Sequence, residues 1–207
     1  ANRGRWIFSD VMGDTEYAIS PLRENAGFPN GHAVKNDGSF IVAQHDRTLY
    51  SVMGDGTEFA LMSDTYQGKK LNSPNDVAVA RDNSIFFTDP MFGIQGFGPE
   101  KAESSLGYAG VFRLSNGSLD LVNNELSTPN GIAITNDQKS LIVSDTGTNT
   151  LYSINLDSYN GNPVKAVKLA ELAPIAGGGE GHGPDGLRVA TDNKIWATGK
   201  GGVNVCL

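Results

Sequence analysis

The sequence predicts an all-β protein with the architecture of a β-propeller. Glycine accounts for 26 of 207 residues, nearly twice the average usage of ~7%, which favours many tight turns. The apolar segments are short, rich in β-branched and aromatic residues, and bounded by Asp, Asn or Gly, as strands are. A turn motif also recurs along the chain at the spacing expected of propeller blades.

The predicted strands are short apolar segments, and the clearest five are residues 6–8, 40–43, 85–88, 141–143 and 194–198. No stretch of twelve residues carries an apolar period of 3.6. Residues 166–172 come nearest, but Pro163 and Pro174 flank them. The pattern therefore predicts no substantial helix.

Four segments repeat one pattern, in which Pro-Asn or Pro-Asp leads into an alternating strand and then a polar turn. We call the second residue of each segment a ring residue. The ring residues are Asn30, Asn75, Asn130 and Asp185, at intervals of 45, 55 and 55 residues. A four-stranded propeller blade takes roughly 40 to 50 residues. The repeats therefore correspond to blades, and the longer intervals to inserted loops.

A partial unit at residues 5–10 precedes these repeats and lacks the Pro-Asn/Asp turn that should introduce it. With it, the chain supplies about four and a half blades. Because a propeller that does not close its ring exposes strand edges, we expect a single domain over residues 1–207 that is incomplete at both ends.

Composition excludes several classes of function. The chain has 23 acidic and 16 basic residues and a net charge of -7, which argues against nucleic acid as a partner. No apolar run approaches the ~20 residues that a membrane-spanning helix needs. Cys206 is the only cysteine, so an internal disulfide and a cysteine zinc site are excluded. The compartment stays open between the cytoplasm and the periplasm or exterior.

Four motifs carry a specific resemblance: Leu71-Asn72-Ser73-Pro74-Asn75-Asp76-Val77, Phe87-Thr88-Asp89-Pro90, Pro129-Asn130-Gly131-Ile132-Ala133 and Pro184-Asp185-Gly186-Leu187. In this order and at blade spacing, the chain resembles the gluconolactonase/regucalcin family, the senescence-marker-protein-like propellers. The resemblance runs from about Trp6 to Val205. It implies a six-bladed propeller and a carboxylic-ester hydrolase that opens sugar lactones. It also implies one divalent cation in the central channel, usually Ca²⁺, with Mg²⁺, Mn²⁺ or Zn²⁺ as alternatives.

The ring residues form the predicted metal site. The innermost strands of a propeller line its axis, so residues at one repeat position should converge there. Amide and carboxylate oxygens suit Ca²⁺ or Mg²⁺. By the family's pattern Asn75, Asn130 and Asp185 match three metal ligands, and a fourth, a glutamate, would lie just before Ala1. Alternatively, these residues recur only because they favour turns, and Asn30 is the member most open to that interpretation.

Asp185 is the only acid among the ring residues and is the predicted catalytic base. A carboxylate beside a cation stays ionised at neutral pH and can take a proton from the attacking water. The cation would polarise the lactone carbonyl. The alternative is an aspartate that only forms a tight Pro-Asp-Gly turn.

The predicted substrate contacts are Asn75, Asp89, Phe92, His45 and His182. His45 stands where members of the family often have Glu-His-Gly, and His182 lies between two glycines beside Asp185. Either histidine is alternatively an ordinary surface or loop residue.

Asp89 opens an insertion that runs to Tyr108 and mixes aromatic residues with glycines. Such a loop would close over a ring-shaped ligand. Alternatively, Phe92 and Phe97 pack on a neighbouring blade.

The leading function is thus a metal-dependent lactonase acting on a small-molecule lactone. A non-catalytic propeller that binds a ligand or protein, and a metal-dependent phosphotriesterase or esterase, remain alternatives. A serine esterase is not supported, because no serine has a Gly-x-Ser-x-Gly setting. The glycine-rich residues 177–183 lack the Gly-Lys-Ser/Thr ending of a phosphate-binding loop.

Overall fold

The computed structural model describes residues 26–53, 59–172 and 183–206, and nearly all of its elements are β-strands. Blade 1 comprises β1 (Pro29–Val34), β2 (Phe40–Gln44), β3 (Thr48–Val52) and β4 (Phe59–Ser63). A small hairpin of β5 (Thr65–Tyr66) and β6 (Lys69–Lys70) follows. Blade 2 comprises β7 (Val77–Val79), β8 (Ile85–Asp89), β9 (Gly110–Ser115) and β10 (Ser118–Asn123).

Blade 3 comprises β11 (Pro129–Ile134), β12 (Ser140–Asp145), β13 (Thr150–Asn155) and β14 (Ala166–Glu171). Blade 4 has three described strands, β15 (Leu187–Val189), β16 (Ile195–Gly199) and β17 (Gly202–Cys206). Two short helical turns, Gly93–Phe97 and Leu156–Ser158, interrupt the strands. None of the helices in the described ranges is long and apolar enough to cross a membrane.

Each blade is an antiparallel meander whose strands pair in sequence order. The first strands of successive blades, β1, β7, β11 and β15, contact one another in turn, and so form the inner wall of the assembly. The prediction of an all-β propeller is confirmed, and each Pro-Asn/Asp repeat begins one blade. The partial unit at residues 5–10 lies outside the described residues.

Four of the five named strands are confirmed as β2, β8, β12 and β16, the second strand of each blade. Their side chains build the hydrophobic core between blades, as fully buried Ile41, Phe87 and Leu141 illustrate. Phe87 of β8 stacks on Phe112 of β9 with ring centroids 5.5 Å apart. Because each blade buries its faces against its neighbours, the core positions the inner strands relative to one another.

The polar turn after each inner strand is confirmed in all four blades. Its third residue has a positive φ: 82° at Gly38, 65° at Asn83, 64° at Gln138 and 66° at Asn193. Glycine and asparagine tolerate this left-handed conformation better than most residues do. Side chains also join the turns of adjacent blades, since Asn136 Nδ2 donates to the carbonyl of Ala190 at 2.8 Å.

Candidate active site

The repeated turns bring the four ring residues to one cavity of about 350 Å³. It is lined by Asn30, Asn75, Asn130 and Asp185, together with His45, Phe92, Phe97, Thr146 and Gly183. Asn30 therefore joins the other three, although it was the member most open to a purely structural interpretation. A second cavity, of about 460 Å³, shares Asn30, Asn75 and Asp185 and extends to Asp76 and Arg188.

Hydrogen bonds between blades fix the backbone of the ring residues. Gly31 N donates to the carbonyl of Asn75 at 2.7 Å. Thr88 Oγ1 donates to the carbonyl of Asn130 at 2.6 Å, and Ser144 Oγ donates to that of Asp185 at 2.6 Å. Each carbonyl is thus held by the preceding blade, which leaves the side chains to face the cavity.

Asp89 lies elsewhere than the sequence predicted. It is fully buried, and its carboxylate accepts hydrogen bonds from Asn72 N at 2.8 Å and Ser73 N at 2.7 Å. Burial raises the pKa of Asp89 to about 7, while those N–H groups and the charge of Arg47 act in the opposite direction. The carboxylate therefore holds the segment before Pro74 and is not among the side chains of the cavity, which corrects the expectation of a substrate contact.

Asp145 occupies the equivalent position in blade 3, at the end of the second strand. Its carboxylate accepts hydrogen bonds from Ser127 N at 2.7 Å and Thr128 N at 3.1 Å, directly before the next Pro-Asn turn. We call Asp89 and Asp145 the clamp aspartates. Because two blades repeat the arrangement, the role of both residues is to hold the turns that present Asn75 and Asn130.

Asn130 has its side-chain amide oriented by a chain of hydrogen bonds. Thr146 Oγ1 donates its proton to the carbonyl of Pro184 at 2.6 Å, so its oxygen accepts from Asn130 Nδ2, at 3.0 Å. The amide oxygen, Oδ1, points away from Thr146 and is buried, with no hydrogen-bond partner among the residues that the structure describes. Such an orphaned oxygen is costly to bury, and a hard cation would satisfy it.

His45 is 8% exposed and lies between the ring residues and the aromatic loop. Its Nε2 is 2.9 Å from Asn30 Nδ2 and 3.4 Å from Asn75 Nδ2, and its Nδ1 is 3.3 Å from the carbonyl oxygen of Phe97. Burial lowers the pKa of His45 below its usual 6.5, despite the opposing charge of Asp185. Burial therefore favours the neutral form of the imidazole.

Asp185 is exposed, as Asn30 is, whereas Asn75 and Asn130 are buried. The backbone N–H of Asp185 donates to Thr198 Oγ1 at 3.0 Å, and the residue lines both cavities. Within the described ranges no three His, Cys, Asp or Glu side chains group together as a metal cluster. A cation held here would therefore take amide oxygens from Asn75 and Asn130 beside this single carboxylate.

Asp76 is a second acid next to the ring that the sequence analysis missed. Its carboxylate accepts from Val77 N at 2.9 Å and Ile132 N at 3.1 Å, and it lies 3.7 Å from Arg188 Nη1. Burial raises the pKa of Asp76. The sequence does mark Asp76, because the other three repeats have glycine at the position after the ring residue.

Phe92 and Phe97 both line the cavity, which favours the loop-over-ligand interpretation of the insertion. Their rings meet edge to face with centroids 6.2 Å apart, and Phe97 is 70% exposed. Glycines let this loop approach His45 closely, since a β-carbon at Gly93 or Gly98 would lie within 3 Å of its carbonyl oxygen. His182, the remaining predicted contact, lies outside the described residues.

Comparisons with known proteins agree with this architecture. The model of the family described as SMP-30/Gluconolactonase/LRE-like region matches residues 2–206. A gluconolactonase from Zymomonas mobilis subsp. mobilis is 33% identical over 181 residues, which cover 85% of this chain and 50% of that protein. A gluconolactonase structure from Xanthomonas campestris is 31% identical with a TM-score of 0.79, covering 90% of this chain and 61% of that one.

The calcium-binding protein regucalcin from Agrobacterium tumefaciens shares the fold, with a TM-score of 0.63 at 20% identity over 88% of this chain and 56% of that one. The chain spans about half the length of the curated gluconolactonase that it matches. The match of the family model over nearly the whole chain confirms the resemblance carried by the four sequence motifs. The chain belongs to the SMP-30/gluconolactonase/LRE-like family.

Proposed function

We propose that this protein is a metal-dependent lactonase that opens a small sugar lactone in the cavity of the ring residues. The observation that carries the proposal is the orphaned Oδ1 of Asn130, which lines the same cavity as Asn75 and Asp185. Two amide oxygens and one carboxylate suit a hard divalent cation, Ca²⁺ above all. Similarity to gluconolactonases supports the choice of substrate class.

In the proposed reaction, Asp185 acts within the cavity. One oxygen of its carboxylate takes a proton from water as that water attacks the carbonyl carbon of the lactone. The ring C–O bond then breaks, and the proton passes from Asp185 to the departing alkoxide oxygen. The product is the open-chain hydroxy acid. A bound cation would supply Lewis-acid polarisation of the carbonyl and stabilise the developing oxyanion.

The aromatic loop would position the substrate. Phe92 and Phe97 line the cavity together with His45, so their ring edges and faces offer an apolar wall for the C–H faces of a sugar ring. Asn75 and His45 supply polar groups beside that wall. A small, mainly apolar cavity with a few convergent polar groups is typical of ligand-binding sites.

A pH-indicator assay of the full-length protein with glucono-δ-lactone tests the proposal, because ring opening releases an acid. Chelator should abolish the enzymatic rate, and added Ca²⁺ should restore it. Phosphotriester and aryl-ester substrates, run in parallel, test the alternative electrophiles. A lactonase rate that survives complete removal of divalent ions would contradict the metal-dependent mechanism, and no turnover of any lactone would contradict the activity itself.

A further inference from the structure

We infer that His45 is a positioning residue that turns the side-chain amides of Asn30 and Asn75 so that their carbonyl oxygens face the bound cation. The inference rests on the proposed function, since it assigns those oxygens to the ion. It adds Asn30 to the residues that offer an oxygen to the cation, and it gives His45 a role other than contact with the substrate.

The hydrogen-bond partners assign the tautomer of His45. The carbonyl of Phe97, 3.3 Å from Nδ1, can only accept, so the proton of the neutral ring lies on Nδ1. Nε2 is then unprotonated and accepts. Its two neighbours, Asn30 Nδ2 and Asn75 Nδ2, are both donors.

This tautomer decides which way both amides point. With Nδ2 directed at His45, the Oδ1 atom of each amide is turned away from the imidazole. Flipping either amide would place an oxygen lone pair against the lone pair of Nε2, which is repulsive. The same nitrogen therefore selects the metal-binding orientation of Asn30 and of Asn75.

Blade 3 reaches the same result with a different side chain. Thr146 directly follows the second strand of its blade, as His45 does in blade 1, and it accepts from Asn130 Nδ2. In blade 2 the corresponding residue is Pro90, whose side chain has no acceptor. Asn75 thus lacks an acceptor from its own blade at that position, and His45 serves it from the neighbouring blade.

The aromatic loop fixes the position of His45 on the side away from the ring amides. The Nδ1–H of His45 donates to the loop that carries Phe97, and Gly93 and Gly98 of that loop lie against the backbone carbonyl of His45. The orientation of two ring amides is therefore linked to the seating of the aromatic loop. Residues that orient metal ligands in this way typically affect metal affinity by about 10- to 100-fold when they are changed.

Two substitutions separate the functions of the two ring nitrogens. In His45→Gln, the side-chain oxygen replaces Nε2 as an acceptor for the amides. In His45→Asn, the shorter amide reaches only the place of Nδ1, so the bond to Phe97 is retained and the acceptor is lost. The measurement is calorimetric titration of the chelator-treated full-length protein with Ca²⁺. The Ca²⁺ affinity of His45→Gln should lie within about threefold of wild type, and that of His45→Asn should be weaker by about tenfold or more.

Equal Ca²⁺ affinity of wild type and His45→Asn would overturn the inference while leaving the metal site intact. Equal weakening of both variants would also overturn it, because a loss caused by packing alone does not distinguish Gln from Asn. Absence of Ca²⁺ binding by wild type would instead defeat the proposed function, and the inference with it.

A measurement on metal-free wild type covers the case in which His45→Asn does not fold. Nitrogen-15 NMR of the histidine rings distinguishes a protonated from an unprotonated ring nitrogen. The inference predicts that His45 carries its proton on Nδ1 in the presence of chelator. A proton on Nε2 would make that atom a donor and would overturn it.

Discussion

In blades 2 and 3 a ring residue stands at the turn into the first strand and a clamp aspartate ends the second strand, so both are acids or amides beside a tight turn. The clamp aspartates are buried, and their carboxylates accept backbone N–H groups, as Asp89 does from Asn72 and Ser73. Three of the ring residues, Asn75, Asn130 and Asp185, accept hydrogen bonds from the preceding blade at their backbone carbonyls, and all four line a cavity. Asn130 even has a buried oxygen that finds no partner within the described ranges.

Residue type does not decide the role of a polar side chain here. What decides it is whether the fold supplies hydrogen-bond partners for the side chain. A carboxylate that is fully satisfied by backbone N–H groups contributes to stability. A buried oxygen left unsatisfied in a cavity indicates a ligand. Substitutions of the clamp aspartates should therefore mainly lower stability, whereas substitutions of the ring residues should mainly lower catalysis.

Asp185→Asn should have the largest effect on catalysis. The amide retains an oxygen donor but cannot accept a proton, so we expect kcat to fall by roughly 10²-fold or more even at saturating Ca²⁺. The measurement is steady-state hydrolysis of glucono-δ-lactone across a range of Ca²⁺ concentrations. Asn130→Asp is the matched control, because it changes the charge at the ion without removing the base. Full recovery of Asp185→Asn by added metal would assign the base to another group.

Asp145→Asn should mainly affect stability. An amide has only one acceptor oxygen and would set its NH₂ group against Ser127 N or Thr128 N, so a partly buried N–H loses its partner. We expect the free energy of unfolding to fall by about 1–3 kcal/mol, measured by urea denaturation of the chelator-treated protein. Asp89→Asn should behave in the same way. An unchanged midpoint for both variants would show that the clamps do not hold these turns.

Much of the fold follows from the sequence, because the repeat of Pro-Asn/Asp turns reports blade spacing directly. The convergence of the ring residues follows too, since equivalent positions of a propeller meet at its axis. Sequence could not separate Asp89 from a site residue, because which N–H groups meet a carboxylate depends on the three-dimensional path of the preceding loop. The neighbouring-blade contact of His45 with Asn75 was hidden for the same reason.

Phe97→Ala should have a moderate effect, and on substrate binding rather than on the chemical step. Phe97 is exposed at the cavity and forms an edge-to-face contact with Phe92. Loss of one aromatic face is worth about 1 kcal/mol, so KM should rise about fivefold with kcat nearly unchanged. Phe59→Ala, on an outer strand of blade 1, provides a comparison away from the cavity. A fall in kcat alone would place Phe97 in the chemical step.

Acidic pH should produce the smallest effect, through His45. Because the pKa of the buried imidazole is lowered in the folded protein from 6.5, the unfolded chain binds the proton more tightly. The free energy of unfolding should therefore fall as the pH drops below about 6.5. Urea denaturation with chelator between pH 8 and 5 measures this slope. His45→Gln should lack this component of the slope, and an identical slope in both proteins would contradict the assignment.

On the proposed function, the ring residues bind the divalent cation and the nearby clamp aspartates do not. Calorimetric titration of Ca²⁺ into Asn130→Leu and Asp145→Asn, each measured as folded full-length protein, tests this assignment most directly. Leucine is close to asparagine in shape but has no oxygen, so Asn130→Leu should lose Ca²⁺ affinity by at least about tenfold. Asp145→Asn leaves every proposed ligand in place and disturbs only the turn before Asn130, so it should lose clearly less. Wild-type affinity in Asn130→Leu, with weakened binding in Asp145→Asn, would contradict the assignment.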